Sequence, residues 1–147
     1  MAIRSQSRRR ERGFTLIEIL IVVAIVGILS AIAVPSYRDY VVRARLTEAF
    51  SGLGGVQTAA EEYWNNSIPH TYANFDRLPP SSANFTFSLA AGASDSAYTV
   101  KATGQGTMAD FEYTIDQNGK RATTKLPTGW TKSDTCWVDR KGATCVQ

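Results

Sequence analysis

Three places in this 147-residue chain hold side chains whose type and spacing could do chemistry. Glu18 is the only charged residue between positions 14 and 34, in a run of apolar and small residues. A carboxylate at mid-bilayer costs roughly 2.5–3.5 kcal/mol on insertion scales, so it needs a partner or a route to water. Gly13-Phe14 is the join between a basic stretch and that run. A glycine has no Cβ, which lets the backbone lie close against a protease. Cys136 and Cys145 are the two cysteines. Their spacing is no recognised zinc spacing, and His70, the single histidine, is far away in sequence. An oxidising compartment would favour a disulfide, with two independent thiols as the alternative. Closing a loop of about ten residues stabilises by roughly 2–3 kcal/mol, and the bond is expected to support the tail more than the whole domain.

Arrangements for catalysis are missing from the sequence. There is no Ser/His/Asp or Cys/His set, no Gly-rich phosphate loop and no carboxylate cluster with ligand spacing, so no catalytic residue, metal or cofactor is expected. Glu61 and Glu62 are adjacent and would point to different sides of a helix. Arg140 and Lys141 lie between the cysteines, with Lys132 nearby and Trp130 and Trp137 interleaved. Basic residues beside aromatics can hold nucleic acid through phosphate and stacking contacts. Asp134 and Asp139 dilute that patch, and an exposed charged loop is its ordinary explanation.

The element that must position Glu18 is a membrane-length helix. Residues 14–34 would span about 31 Å, against a hydrocarbon core of about 30 Å. Before it stand Arg4, Arg8, Arg9, Arg10 and Arg12, opposed only by Glu11. Positive charge resists translocation, so the N-terminus should stay cytoplasmic and everything after the helix should lie outside. An ordinary secretory signal would have a shorter apolar core and a small-residue cleavage site after it. Here the run ends at Ala33-Val34-Pro35-Ser36-Tyr37 without such a site. A plain signal anchor is the other alternative. The chain has 16 Lys+Arg against 13 Asp+Glu, and without residues 1–13 the balance is 11 against 12. Net charge alone therefore gives no case for a nucleic-acid binder.

Beyond the membrane segment the helix continues. Apolar residues recur at Tyr37, Val41, Ala44, Leu46, Ala49, Phe50, Leu53, Val56, Ala60, Tyr63 and Trp64, which describes one helical face. Pro35 cannot donate its N–H, so a kink or locally melted turn is expected near residues 31–36. Gly52, Gly54 and Gly55 mark a second loose point, each costing about 1 kcal/mol relative to Ala. Residues 66–83 read as a long loop. Alternating segments follow at 85–89, 97–103, 111–115 and 120–125. Asp116-Gln117-Asn118-Gly119 is a hairpin signal, because Asn-Gly tolerates positive φ. The expected class is α+β: a long N-terminal helix, transmembrane in its first half, packed on an antiparallel sheet of about four strands with a C-terminal disulfide loop.

The string Arg8 to Glu18, with Gly13-Phe14-Thr15-Leu16-Ile17-Glu18 at its end, resembles the type IV pilin signature with its class III signal peptide. The layout after it resembles the pilin fold. Tyr98-Thr99-Val100-Lys101-Ala102, the Asp116–Gly119 turn and Cys136-Trp137 look most like PilE-type minor pilins. The resemblance implies a leader at 1–13, a transmembrane and fibre-core helix at 14–35 and a periplasmic or extracellular globular domain at 36–147. It implies that a membrane prepilin peptidase cuts between Gly13 and Phe14 and that the Phe14 amine is methylated. It implies storage in the inner membrane as a single-pass protein, then assembly with other pilin subunits on an inner-membrane platform into an extracellular fibre. Such a fibre would serve motility, adhesion or DNA uptake. The Phe14 amine of a neighbouring subunit is then a partner for Glu18, and the N-terminus of its own helix is the nearer alternative. Thr15 is a second assembly candidate, bonding back to the helix or across to Glu18, or simply satisfied by itself. Rival readings are a pseudopilin of type II secretion, a DNA-binding competence pilin and a monotopic envelope enzyme.

Overall fold

The computed structural model describes residues 13–90 and 92–146. Of the expected leader, residues 1–12 lie outside the described residues. One helix, α1, runs Leu16–Asn66. Four strands follow as β1 Phe85–Leu89, β2 Thr99–Gly104, β3 Glu112–Asp116 and β4 Arg121–Lys125. They form one antiparallel sheet in the order β1-β2-β3-β4. A two-stranded ribbon, β5 Val138–Arg140 with β6 Thr144–Cys145, ends the chain. The described residues divide into two compact units, the first ending at Tyr37 and the second beginning at Arg38.

In the first unit every described residue is exposed. Its helix is long and apolar enough to cross a membrane. Apolar side chains all round a helix need lipid or other helices for burial, and none of the unit's described residues supplies it. Pro35 withholds one N–H from the ladder, yet the backbone stays helical through it. The locally melted turn expected there does not form.

In the second unit α1 buries Leu46, Ala49, Leu53, Val56 and Ala60. Their steps of three and four residues keep them on one face. Tyr37 and Ala44, which the same periodicity placed on that stripe, are exposed. The sheet answers with period two: β2 buries Val100, Ala102 and Gly104, and β3 buries Tyr113 and Ile115. Small Ala102 stands opposite large Tyr113 in the register. Phe50 meets the Tyr113 ring edge-on at 5.0 Å and stacks on Trp137 at 5.4 Å. The hairpin forms where expected. Gly119 adopts φ +71°, and Asp116 Oδ1 accepts the backbone N–H groups of Asn118 and Lys120, each at 2.9 Å.

Glu48 clamps the end of the loop before β1. Its carboxylate accepts Ser82 Oγ at 2.7 Å and Asn84 Nδ2 at 2.8 Å. Farther up the helix, the Tyr63 hydroxyl donates to Ala73 O at 2.7 Å.

The helix glycines divide by surroundings. A Cβ on Gly52 would lie 2.3 Å from Phe87 Cζ, while Gly54 and Gly55 have nothing within 4 Å. The helix passes unbroken through all three. Gly54→Ala is expected to raise stability by up to about 1 kcal/mol through helix propensity. Gly52→Ala must displace the Phe87 ring, an overpacking cost of about 1–3 kcal/mol that offsets the same gain. Urea midpoints of the two variants check this, and equal gains would show that the ring moves freely.

Cys136 and Cys145 are bonded. The tail is more than an appendage, because Trp137 and Val138 are 3% and 0% exposed and belong to the interior. Thr123, buried in β4, pins that stretch by donating Oγ1–H to Cys136 O at 2.8 Å and accepting the Val138 N–H at 3.0 Å.

Candidate functional site

Thr15 is the last residue before α1, and it caps the helix. Glu18 N–H points to Thr15 Oγ1 at 3.3 Å, and Thr15 N–H reaches back to Glu18 Oε2 at 3.5 Å. This reciprocal pair is a capping box, which satisfies amides that the first helical turn leaves without partners. The pattern Thr-x-x-Glu before an apolar run announces it in sequence, and Thr15 bonding across to Glu18 was one of the open options. In a single chain Glu18 therefore finds its partner in its own helix start, where negative charge is favoured by about 0.3–1 kcal/mol. The return bond is long, so the carboxylate can exchange it for a stronger donor.

Gly13, Phe14, Thr15 and Glu18 line an open cavity of about 500 Å³. A Cβ on Gly13 would meet nothing within 4 Å among the described residues. Packing among the described residues therefore does not demand glycine there. Phe14 is 80% exposed beside it.

A second group of polar residues gathers in the globular unit. Asp39 and Arg43 from α1 meet Trp130, Asp139, Arg140 and Lys141 around a cavity of about 250 Å³. Lys141 Nζ lies 3.9 Å from Asp39, and Arg140 Nε lies 3.4 Å from Asp139 Oδ2. Arg43 Nε donates to the backbone oxygen of Asp39 at 3.3 Å. Of the residues that suggested a nucleic-acid patch, Trp130, Arg140 and Lys141 come together here. Lys132 is exposed and does not line the cavity. Trp137 is unavailable for base stacking, since Phe50 stacks on it and the Arg121 guanidinium lies 4.6 Å from its ring centroid. Arg43 was missed in this role, because its neighbours come from nearly a hundred residues later in the chain.

Two tyrosines of the interior have displaced titrations. Burial, helped by Tyr72, Glu61 and Asp116, pushes the Tyr98 phenol up from 10.0 to about 12. Burial, then the Asp139 charge, raises Tyr113 further, and its hydroxyl donates to Val138 O at 2.9 Å. Both phenols thus keep their protons in the fold at pH values where an unfolded tyrosine has lost its own. This contribution is whole below about pH 10 and is lost as pH rises toward about 12 and beyond. The urea midpoint of the globular unit is expected to fall between about pH 9 and about pH 11, with a shallower fall for Tyr98→Phe. An unchanged midpoint would contradict the burial of these phenols.

Residues 8–34 match the family described as the prokaryotic N-terminal methylation motif. Residues 35–115 match the family described as type IV minor pilin ComP, DNA uptake sequence receptor. Among curated relatives, the fimbrial protein EcpC of Eikenella corrodens is 54% identical over 56 residues, covering 38% of this chain and 37% of that protein. The type IV major pilin protein PilE1 of Neisseria gonorrhoeae is 52% identical over 56 residues, covering 38% and 34%. A fimbrial protein of Pseudomonas aeruginosa is 55% identical over 53 residues, covering 36% and 34%. The match thus spans about a third of the length of each of these relatives. Among solved structures, the non-core minor pilin PilV of Neisseria meningitidis superposes with a TM-score of 0.52 at 21% identity, covering 61% of this chain and 93% of that one. That likeness concerns the fold.

Proposed function

We propose, from the premise that this chain belongs to the type IV pilin family described as minor pilin ComP, that it is a structural subunit of a type IV pilus. The observation that carries this reading is the first unit: an apolar helix exposed all round, with one carboxylate held at its start. Such a helix is stable only in lipid or among other helices, and a pilus subunit passes from one to the other. The family match and the motif over residues 8–34 support it.

In this reading a membrane prepilin peptidase cuts between Gly13 and Phe14. The bare Gly13 backbone suits a protease cleft, and no packing among the described residues competes for it. The new amine of Phe14 is methylated. The subunit waits in the inner membrane with its start on the cytoplasmic side, where Glu18 is only about 6 Å of helical rise from the cut. On leaving the bilayer for the fibre, Glu18 gives up its long bond to Thr15 and takes the Phe14 amine of a neighbouring subunit. Packing between helices, not escape from water, drives the transfer, so this charged contact supplies selectivity. Pro35 leaves one carbonyl of the ladder without its N–H, a place where the helix can bend as it enters the fibre. The partners are other pilin subunits, the peptidase and the inner-membrane assembly platform. The chain itself performs no chemistry.

The test is to shear fibres from cells expressing a C-terminally tagged chain and probe them for the tag. Fibre-bound tag supports the reading, and tag confined to the membrane fraction counts against it.

A second reading, DNA uptake, is favoured by the name of the matching family and by Arg43, Arg140, Lys141 and Trp130 around one cavity. Residues 38–147 should then retard duplex DNA at low salt and release it steeply as salt rises. Weak binding with no salt dependence would leave the structural role alone.

A further inference from the structure

We propose that the outer edge of β1 pairs antiparallel with the same edge of a second copy of this chain, so that two globular units share one continuous sheet.

The register defines that edge. Ala90 N–H donates to Thr99 O, and Gln105 N–H to Asn84 O, each at 2.8 Å. Along an antiparallel strand, alternate residues turn their backbone groups to opposite sides. Thr86 and Ser88 therefore face β2, opposite Thr103 and Lys101, while Phe85, Phe87 and Leu89 face outward. Ser82 occupies the first of these three. Its Oγ accepts the Phe85 N–H at 3.0 Å, and its own N–H donates to Phe85 O at 2.8 Å. Among the described residues, none gives Phe87 or Leu89 an outward backbone partner.

The two edges of the sheet are guarded differently. β4 carries Arg121 and Lys125, and its pairing with β3 includes a register shift. Its Thr123 N–H is taken by Ser133 O at 2.7 Å. Charge, irregular pairing and a covering segment keep an edge from adding strands. The open part of β1 has none of these. Its sequence Phe-Thr-Phe-Ser-Leu holds no charge and no proline, and it pairs with β2 without a shift. Aromatic and β-branched residues suit an extended backbone.

A second copy is the occupant that fits. A two-fold axis at Ser88 sets Phe87 opposite Leu89 of the second copy, and each open N–H then meets an open C=O. No charge on either strand opposes another. Growth stops at the pair, because the far edge of each sheet is the guarded β4. The edge is held in shape beforehand: Phe87 lies against Gly52, and Phe87 and Leu89 both pack on the interior. So short a ladder is weak between separate molecules. It becomes effective where copies are already held close, as a membrane or a fibre would hold them.

Cysteine cross-linking of the full chain in mild detergent tests the register. The two natural cysteines are already bonded to each other. In the proposed pair the Ser88 Cα atoms lie about 4.5 Å apart, within reach of a disulfide. The Thr86 Cα atoms lie roughly 14 Å apart, beyond it, and Thr86 stands opposite Ala90 of the second copy. Ser88→Cys is therefore expected to form linked dimer at least about tenfold faster than Thr86→Cys. Mixing Thr86→Cys with Ala90→Cys should restore the link. Adding Leu89→Pro to Ser88→Cys withdraws an outward N–H without touching the ladder to β2, and should abolish the link. Circular dichroism confirms that each variant is folded. Equal linking by Ser88→Cys and Thr86→Cys, linking that survives Leu89→Pro, or no linking at all overturns the proposal. If Ser88→Cys links in sheared fibres to a different pilin instead of a second copy, the edge serves that subunit and the self-pairing fails.

Discussion

Glu18→Ala is expected to leave the chain processed and membrane-bound while cutting its share in fibres by about tenfold or more, the equivalent of at least about 1.4 kcal/mol. The alanine removes the only carboxylate from residues 14–34 and so makes residence in lipid easier. Processing should survive, because the bare backbone at Gly13 and the arginines before it are untouched. What is lost is the charge that the neighbouring Phe14 amine meets as the subunit leaves the bilayer. Thr15→Ala separates this from simple fraying of the helix start. It removes the Thr15 Oγ1 contact to Glu18 N at a cost of about 0.5–2 kcal/mol but keeps the carboxylate. Its fibre share should therefore fall less. Glu18→Asp keeps the charge on a shorter arm and should recover part of the loss. Membrane and fibre fractions of the three variants, quantified by immunoblot, give the answer. Equal fibre entry by Glu18→Ala and parent would leave Glu18 as a self-capping residue with no assembly role.

Leu53→Ala should produce a large loss of stability in the globular unit. Leu53 is 0% exposed and shares the interior with Tyr113 and Val100. Removing its branched end costs about 2–5 kcal/mol, the spread depending on how far the site can collapse. For a unit of this size that lowers Tm by more than about 10 °C. A comparison change at Ala44, exposed on the same helix, should stay within about 0.5 kcal/mol. Thermal melts of residues 38–147, which contain the buried core, measure both. A Leu53→Ala fragment melting with the parent would mean that the helix does not pack on the sheet.

Much of this packing was legible in sequence because it repeats. Period-two alternation marked four strands, and their observed bounds differ from expectation by only one or two residues. Asn118-Gly119 marked the hairpin because its geometry needs positive φ, which Gly119 adopts. Leu46, Ala49, Leu53, Val56 and Ala60 were legible for the same reason, since a helix turns side chains three and four apart to one face.

What was illegible depends on distance along the chain. The β5–β6 ribbon has strands of three and two residues, too short for any period to show. It turns through Gly142 and Ala143, both at positive φ, and alanine gives no warning of that conformation. Trp137 stands in the sequence with basic residues on either side. Its burial follows from Phe50 and from Thr114 O, which accepts its indole N–H at 2.8 Å. The cavity joins Asp39 and Arg43 to Trp130, Asp139, Arg140 and Lys141, and no local pattern could have paired them. The Thr15–Glu18 capping box was different: its four-residue pattern was in plain view beside a carboxylate already singled out.

The most direct test is the intact mass of the chain recovered from sheared fibres. A subunit handled as proposed will weigh what residues 14–147 weigh, with the disulfide intact and one added methyl group on Phe14. Fibre-borne chain that still carries residues 1–13, or fibres that never contain the chain at all, would contradict the reading of this protein as a pilus subunit.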